Sequence, residues 1–175
     1  MNVRGRTKDN ENSRRDLQSI CYRPDLHLKV LENGKTVVPK AKYTLDNTQI
    51  KMVCDWLSKL KFPDGYASNM SALVDAKKNV IKGMKSHDCH VFMERLLPLS
   101  FKGLLPKPIV DVITDCSRFF TSICSSKINY SDMQSLDTNS AILLCNLEKS
   151  FPLSFFDSME HLMIHLPYEA KMGGP

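Results

Sequence analysis

Four of the five histidines in this chain stand in two tight groups. His87 and His90 flank Asp88 and Cys89, while His161 and His165 are four residues apart, one turn of a helix. Histidines at i, i+4 can share a zinc ion, and Glu160 or Glu169 is near enough in sequence to complete such a site. The order Glu160-His161-x-x-x-His165 is nevertheless not the H-E-x-x-H order that sets a base beside the metal. Cys89 and His90 offer a nucleophile and a base, but adjacent residues of a helix point in different directions. The alternative for all four histidines is a structural role, each ring held by hydrogen bonds. No metal is assigned from the sequence; His161, His165, His87 and His90 are the candidates.

The other reactive side chains are dispersed. Six cysteines (Cys21, Cys54, Cys89, Cys116, Cys124 and Cys145) include no C-x-x-C pair, and they are too sparse for a disulfide scaffold. Several sit among apolar residues at helical spacing, so buried, reduced thiols are expected. The carboxylates Asp88, Glu94, Asp111, Asp115, Glu148, Asp157, Glu160 and Glu169 are scattered, whereas metal-assisted chemistry needs several to converge. Glu148 stands out because it follows Leu143-Leu144-Cys145 and precedes Phe151-Pro152; its plainer reading is an exposed glutamate at a helix end. Neither a glycine-rich phosphate loop nor a G-x-S-x-G elbow is present.

The elements that must position these residues read as helices. From residue 44 to 83, Thr44 or Asp46 offers an N-cap, Ile50, Val53, Leu57 and Leu60 recur at helical spacing, and Phe62-Pro63-Asp64-Gly65 turns the chain. A short second helix is expected from Asn69 to about Lys78. From residue 84 onward, Ser86 is expected to cap a helix through Val91, Phe92, Arg95 and Leu96 that stops at Pro98. Lys107-Pro108 opens the strongest amphipathic stripe, Ile109 to Ile123. Ser131 begins another helix through Leu147, and Ser154 is expected to cap a last one that Pro167 terminates. Residues 1–43 read as an irregular basic segment, broken by a hairpin or turn at Asn33-Gly34 between Leu28–Leu31 and Thr36–Val38. The fold class is therefore all-α: an irregular basic front, a helical junction and a bundle-like core.

Length and charge limit the function. A chain of 175 residues, 42% hydrophobic and 25% charged, is one soluble domain or a piece of a larger one, too short for separate cofactor and substrate lobes. No apolar run reaches the roughly 18–20 residues of a spanning helix, and the polar N-terminus has no signal-peptide core, so a reducing, nuclear or cytoplasmic setting is expected rather than a membrane or secretion. Residues 1–40 hold nine Lys/Arg against five Asp/Glu, and 41–90 eight against five, but 91–175 hold seven against nine. A basic front with Arg4, Arg6, Arg14, Arg15 and Arg23 suits non-specific phosphate contact; a solvated tail is the bland alternative.

Four strings carry a resemblance. KGMKSHDCHVFMERLLP at 82–98, LLPK at 104–107 with FFTSICS at 119–125, and LLCNLEKSFPLSFFDSMEHLMIHLPYEAKMGGP at 143–175 resemble the plant domain of unknown function that adjoins the En/Spm-type (CACTA) transposase domain. Upstream, TKDNENSRRDLQ, RPDLHL and FPDGYASN resemble the tail of that transposase domain and the junction. The resemblance implies a fragment of a DNA transposase from a plant mobile element, with the family pattern running on past both ends. Parent enzymes of this kind use a divalent metal held by carboxylates, and the aspartate motifs are expected upstream of residue 1. It follows that the fragment itself is expected to need no cofactor and to be non-catalytic alone, Glu148 being the first choice if a catalytic carboxylate is retained. DNA, transposase subunits or a second copy are the expected partners. A host protein-interaction module and a metal-dependent nuclease are the alternatives.

Overall fold

The structure is a computed structural model that describes residues 8–20, 22–63 and 69–173. It is all-α apart from two hairpins of two-residue strands. Contacts divide the chain into two units, one of residues 45–126 and the other of 1–44 with 127–175. These lines differ from the three successive stretches read from the sequence.

In the unit of residues 45–126, Asp46 starts α2 (Asn47–Ser58) with a reciprocal cap. Its carboxylate accepts the Gln49 backbone N–H at 2.8 Å, and the Gln49 side chain accepts the Asp46 N–H at 2.9 Å. Gln49 Nε2 also donates to the Leu104 carbonyl at 2.8 Å. Val53 and Leu57 on this helix are buried with Met70 and Leu96 as a core, with Trp56, Phe92, Phe101 and Leu104 against it. Each such side chain contributes about 2 kcal/mol by leaving water.

The short helix expected from Asn69 to Lys78 is replaced by one 3-10 turn, Met70–Leu73, and a hairpin of β3 (Val74–Asp75) and β4 (Val80–Ile81). β-Branched Val74, Val80 and Ile81 favour the extended backbone. Asp75 accepts the Lys78 N–H at 3.1 Å, and Asn79 occupies the left-handed region at φ 50° that asparagine tolerates.

Helical structure then runs from Ser86 to Phe101 as α3 (Ser86–Val91), a π-helical turn (Phe92–Leu96) and α4 (Leu97–Phe101). Pro98 does not stop it, contrary to expectation. The π-turn sends the Leu97 N–H to the Phe92 carbonyl, five residues back, so the missing donor of Pro98 falls where the ladder has already shifted. Long α5 (Lys107–Ile123) follows with Pro108 in its first turn, as the stripe predicts.

In the other unit, the basic front is not wholly irregular. It holds α1 (Glu11–Ile20), with Arg14 and Leu17 turned inward one turn apart, and a 3-10 turn at Pro24–Leu26. Leu17, Leu26 and Ala41 form a small core with Tyr43. The Asn33-Gly34 turn appears as read: β1 (Lys29–Val30) pairs antiparallel with β2 (Thr36–Val37), and Gly34 takes φ 76°. Helix α6 (Tyr130–Ser150) is capped by Asn129, whose side chain accepts the Ser131 N–H at 3.2 Å.

The final helix of the sequence reading is two helices. Asp157, not Ser154, caps α7 (Ser158–Leu162), and Pro167 lies in the first turn of α8 (Leu166–Gly173) instead of ending a helix. A first turn needs no donor at that position, so proline opens a helix as readily as it closes one. Helix α8 lies against α6; Lys171 donates to Gln134 at 2.6 Å and sits 4.7 Å from the Tyr130 ring centroid.

Candidate functional site

The arginines read as phosphate contacts go to different fates. Arg4 and Arg6 lie outside the described residues. Arg14 is 1% exposed, so its assignment as a DNA contact is corrected. Its Nε and Nη2 donate to the two carboxylate oxygens of Asp9, the latter at 2.8 Å, and Nη2 also reaches the Tyr43 hydroxyl at 3.1 Å. Nη1 donates to the Leu26 carbonyl at 2.9 Å, and Tyr43 in turn donates to Asp9 at 2.7 Å. A guanidinium this enclosed, with four of its five N–H donors spent on a carboxylate, a phenol and a carbonyl, is out of reach of a phosphate in solvent. Burial pushes the Asp9 carboxyl up, but the hydrogen bonds from Arg14 and Tyr43 and the Arg14 charge outweigh it and hold the group below its usual value. The same burial, with the Asp9 bond, raises the Tyr43 hydroxyl.

Arg23 is also turned inward. Its Nη1 donates to the Phe151 carbonyl at 2.9 Å and to the Glu148 carbonyl at 3.2 Å, so it caps the open end of α6. Arg15 remains exposed and pairs with Glu11 at 2.8 Å across one turn of α1.

Glu148 has an exposed side chain in the last turn of α6, which matches its plainer reading. Its backbone carbonyl is engaged by Arg23. The carboxyl group is not part of any cluster of three metal-binding side chains among the described residues. His161 and His165 do meet, although His165 lies in the turn after α7 and not on the same helix. Their Nε2 atoms are 3.3 Å apart and the rings stand edge to face, an arrangement in which one imidazole donates to the other.

One such cluster does exist, and only His90 of it was among the metal candidates. His90 at the end of α3, Glu94 in the π-turn and Cys124 at the C-terminal end of α5 bring Nδ1 or Nε2, a carboxylate oxygen and Sγ all within 4.8 Å of one another. His90 Nδ1 stands 3.6 Å from Glu94 Oε1; the His90 side chain is 54% exposed and that of Glu94 18%. Thr121 of α5 donates to the Glu94 carbonyl at 3.4 Å, which ties the π-turn to the helix that carries Cys124. Burial raises the Cys124 thiol, reinforced by the Glu94 charge and the hydrogen bond between them. His90 and Glu94 sit at i, i+4 and were visible in the sequence as a helical pair; Cys124, thirty residues further on, gave no local signal.

The cysteines divide as well. Cys54, Cys89, Cys116, Cys124 and Cys145 are free thiols, but Cys89, Cys124 and Cys145 are exposed and correct the expectation of burial. Cys54 is buried as expected, and Cys116 is half-buried, enough that burial pushes its thiol up to about 11. Cys21 lies outside the described residues. No helix among the described residues is long and apolar enough to cross a membrane.

Comparison with known proteins finds a similarity to a family model. Residues 123–175 match the model of a family described as a domain of unknown function (DUF4218). That stretch covers the end of α5, α6, α7 and α8, less than half of the chain. No curated protein matches, and no solved structure matches.

Proposed function

We propose that this chain is a helical, non-catalytic module of a CACTA (En/Spm)-type DNA transposase, serving assembly and non-specific contact with DNA in the nucleus. The observation that supports this reading is the family match at 123–175, which falls on the string LLCNLEKSFPLSFFDSMEHLMIHLPYEAKMGGP that carries the strongest part of the transposase resemblance. The geometry bears on the division of labour. With Arg14 and Arg23 committed to internal bonds, any phosphate contact in the described part of the front falls to Arg15 and to exposed lysines such as Lys29 and Lys35 of the hairpin.

A mobility-shift series of the full chain on unrelated duplexes tests the DNA contact. Binding at low salt that weakens steeply as salt rises, is indifferent to sequence, and declines in Arg15→Ala is the expected result. No shift at low salt removes DNA from the proposal. Plasmid incubated with the chain and magnesium is expected to stay supercoiled; nicking that disappears in Glu148→Gln would instead favour the nuclease reading.

A protein-interaction module is the second reading, favoured by a specific feature of residues 127–175. Tyr130, Ile142, Met159, Leu162, Tyr168 and Met172 are all exposed there. Light scattering separates the cases, since a monomer at every concentration argues against self-assembly.

A further inference from the structure

We propose that His90, Glu94 and Cys124 form a zinc(II) site that clamps the π-turn to the end of α5 and leaves the fourth position to water. The three side chains supply one nitrogen, one oxygen and one sulfur, each a recognised zinc donor. A thiolate among them selects zinc over magnesium or calcium, which take oxygen ligands. Bonds of about 2.0–2.3 Å in a tetrahedron set neighbouring ligand atoms roughly 3.3–3.6 Å apart. The His90–Glu94 pair already stands at 3.6 Å, and the whole set lies within 4.8 Å, so little more than about 1 Å of approach separates the ligand atoms from those distances.

The surroundings fit a clamp. The His90 and Glu94 ligands come from one helical run, and the π-turn beginning at Phe92 carries Glu94. Cys124 ends α5, and its N–H is spent on the Phe120 carbonyl, so a cation beside its sulfur lies at the negative end of that helix. The Thr121 hydroxyl fixes the backbone of Glu94 from the same helix, a supporting contact of the kind that orients metal ligands. Glu94 is largely enclosed while His90 faces solvent, giving the ion a route in and a place for its water. On binding, zinc takes the sulfur as thiolate, and the thiol proton, now shared with Glu94, leaves to solvent.

Cobalt(II) is the probe. Titrated into the full chain after removal of metal by chelator, it is expected to bind one ion per chain with a thiolate-to-cobalt charge-transfer band and tetrahedral visible bands, all displaced by zinc. Cys124→Ser should abolish the charge-transfer band. Glu94→Gln and His90→Gln should each weaken binding by at least about tenfold. The His161→Ala/His165→Ala double variant should bind as the parent does. Absence of the band, its persistence in Cys124→Ser, or its loss in the His161/His165 variant overturns the proposal. Should a variant misfold, the parent chain alone decides: zinc must protect Cys124 from iodoacetamide while exposed Cys89 and Cys145 remain labelled, and equal labelling of all three with and without zinc is the contrary result. A saturating hundredfold excess over Kd should also raise the unfolding temperature by about 5–10 °C.

Discussion

Arg14 and Arg15 are neighbours of the same type with opposite roles, and the difference is energetic. Arg14 is enclosed by Asp9, Tyr43 and the Leu26 carbonyl, whereas Arg15 reaches across water to Glu11. Removing one member of a buried pair strands the other, so Arg14→Met is expected to lower stability by about 3 kcal/mol. Arg15→Ala should stay within about 0.5 kcal/mol, as exposed pairs do. Urea unfolding of the two variants measures both, and similar losses would contradict the assignment. A pH dependence follows from Asp9. Its carboxyl titrates lower in the folded chain than its ordinary 3.8, so its contribution is present above that value and fades as pH falls through the lower folded one. Urea midpoints compared from pH 7 to pH 3 should therefore drop more steeply in the parent than in Asp9→Asn, where the titrating group is gone. Little in the sequence separated the two arginines. The helical position of Arg14 three residues before Leu17 was the one available hint, and an inward arginine depends on Tyr43, far along the chain.

Element ends were the next thing the sequence encoded, and with uneven fidelity. Asp46 was legible as one of two caps, beside Thr44, because a cap is local, although its partner Gln49 was not read; the Asn33-Gly34 turn was legible for the same reason. Pro98 and Pro167 misled, because a proline states only that a donor is missing. Whether the missing donor falls in a first turn, as at Pro167, or beside a π-turn, as at Pro98, is decided by packing. The end of α6 is a similar case, closed by Arg23 from more than a hundred residues away. Arg23→Ala should release the Glu148 and Phe151 carbonyls, fray the last turn of α6 and reduce stability by about 1 kcal/mol. Hydrogen exchange at the amides of residues 147–151 reads this directly: protection should fall there and hold at the Asn129 end of the same helix, and unchanged protection would argue against the cap. The His90–Glu94–Cys124 cluster belongs at this scale too, since half of it is helical spacing and half is the meeting of two elements.

The whole chain adds a condition that neither residues nor elements reveal: from residue 127 onward, the family-matched stretch is only one part of a discontinuous unit. Residues 127–175 share their unit with 1–44, and besides the packing of α8 on α6 there are contacts between those two stretches. Tyr43 meets Phe151 at 5.4 Å between ring centroids, Arg23 closes α6, and Lys8 pairs with Asp157. Without residues 8–44, Phe151 loses the Tyr43 ring and the end of α6 loses Arg23, and a segment this short buries too little to offset its chain entropy. Residues 123–175 expressed alone are therefore expected to show weak helicity and no cooperative melt. Residues 45–126 form a continuous stretch with its own core of Val53, Leu57, Met70 and Leu96. That fragment should melt cooperatively by circular dichroism. A cooperative melt for 123–175 would mean that the matched region is an independent domain and that the N-terminal stretch is an accessory to it. Failure of 45–126 to fold would mean that its core needs the rest of the chain, in which case the zinc clamp would be stabilising an element that cannot stand alone.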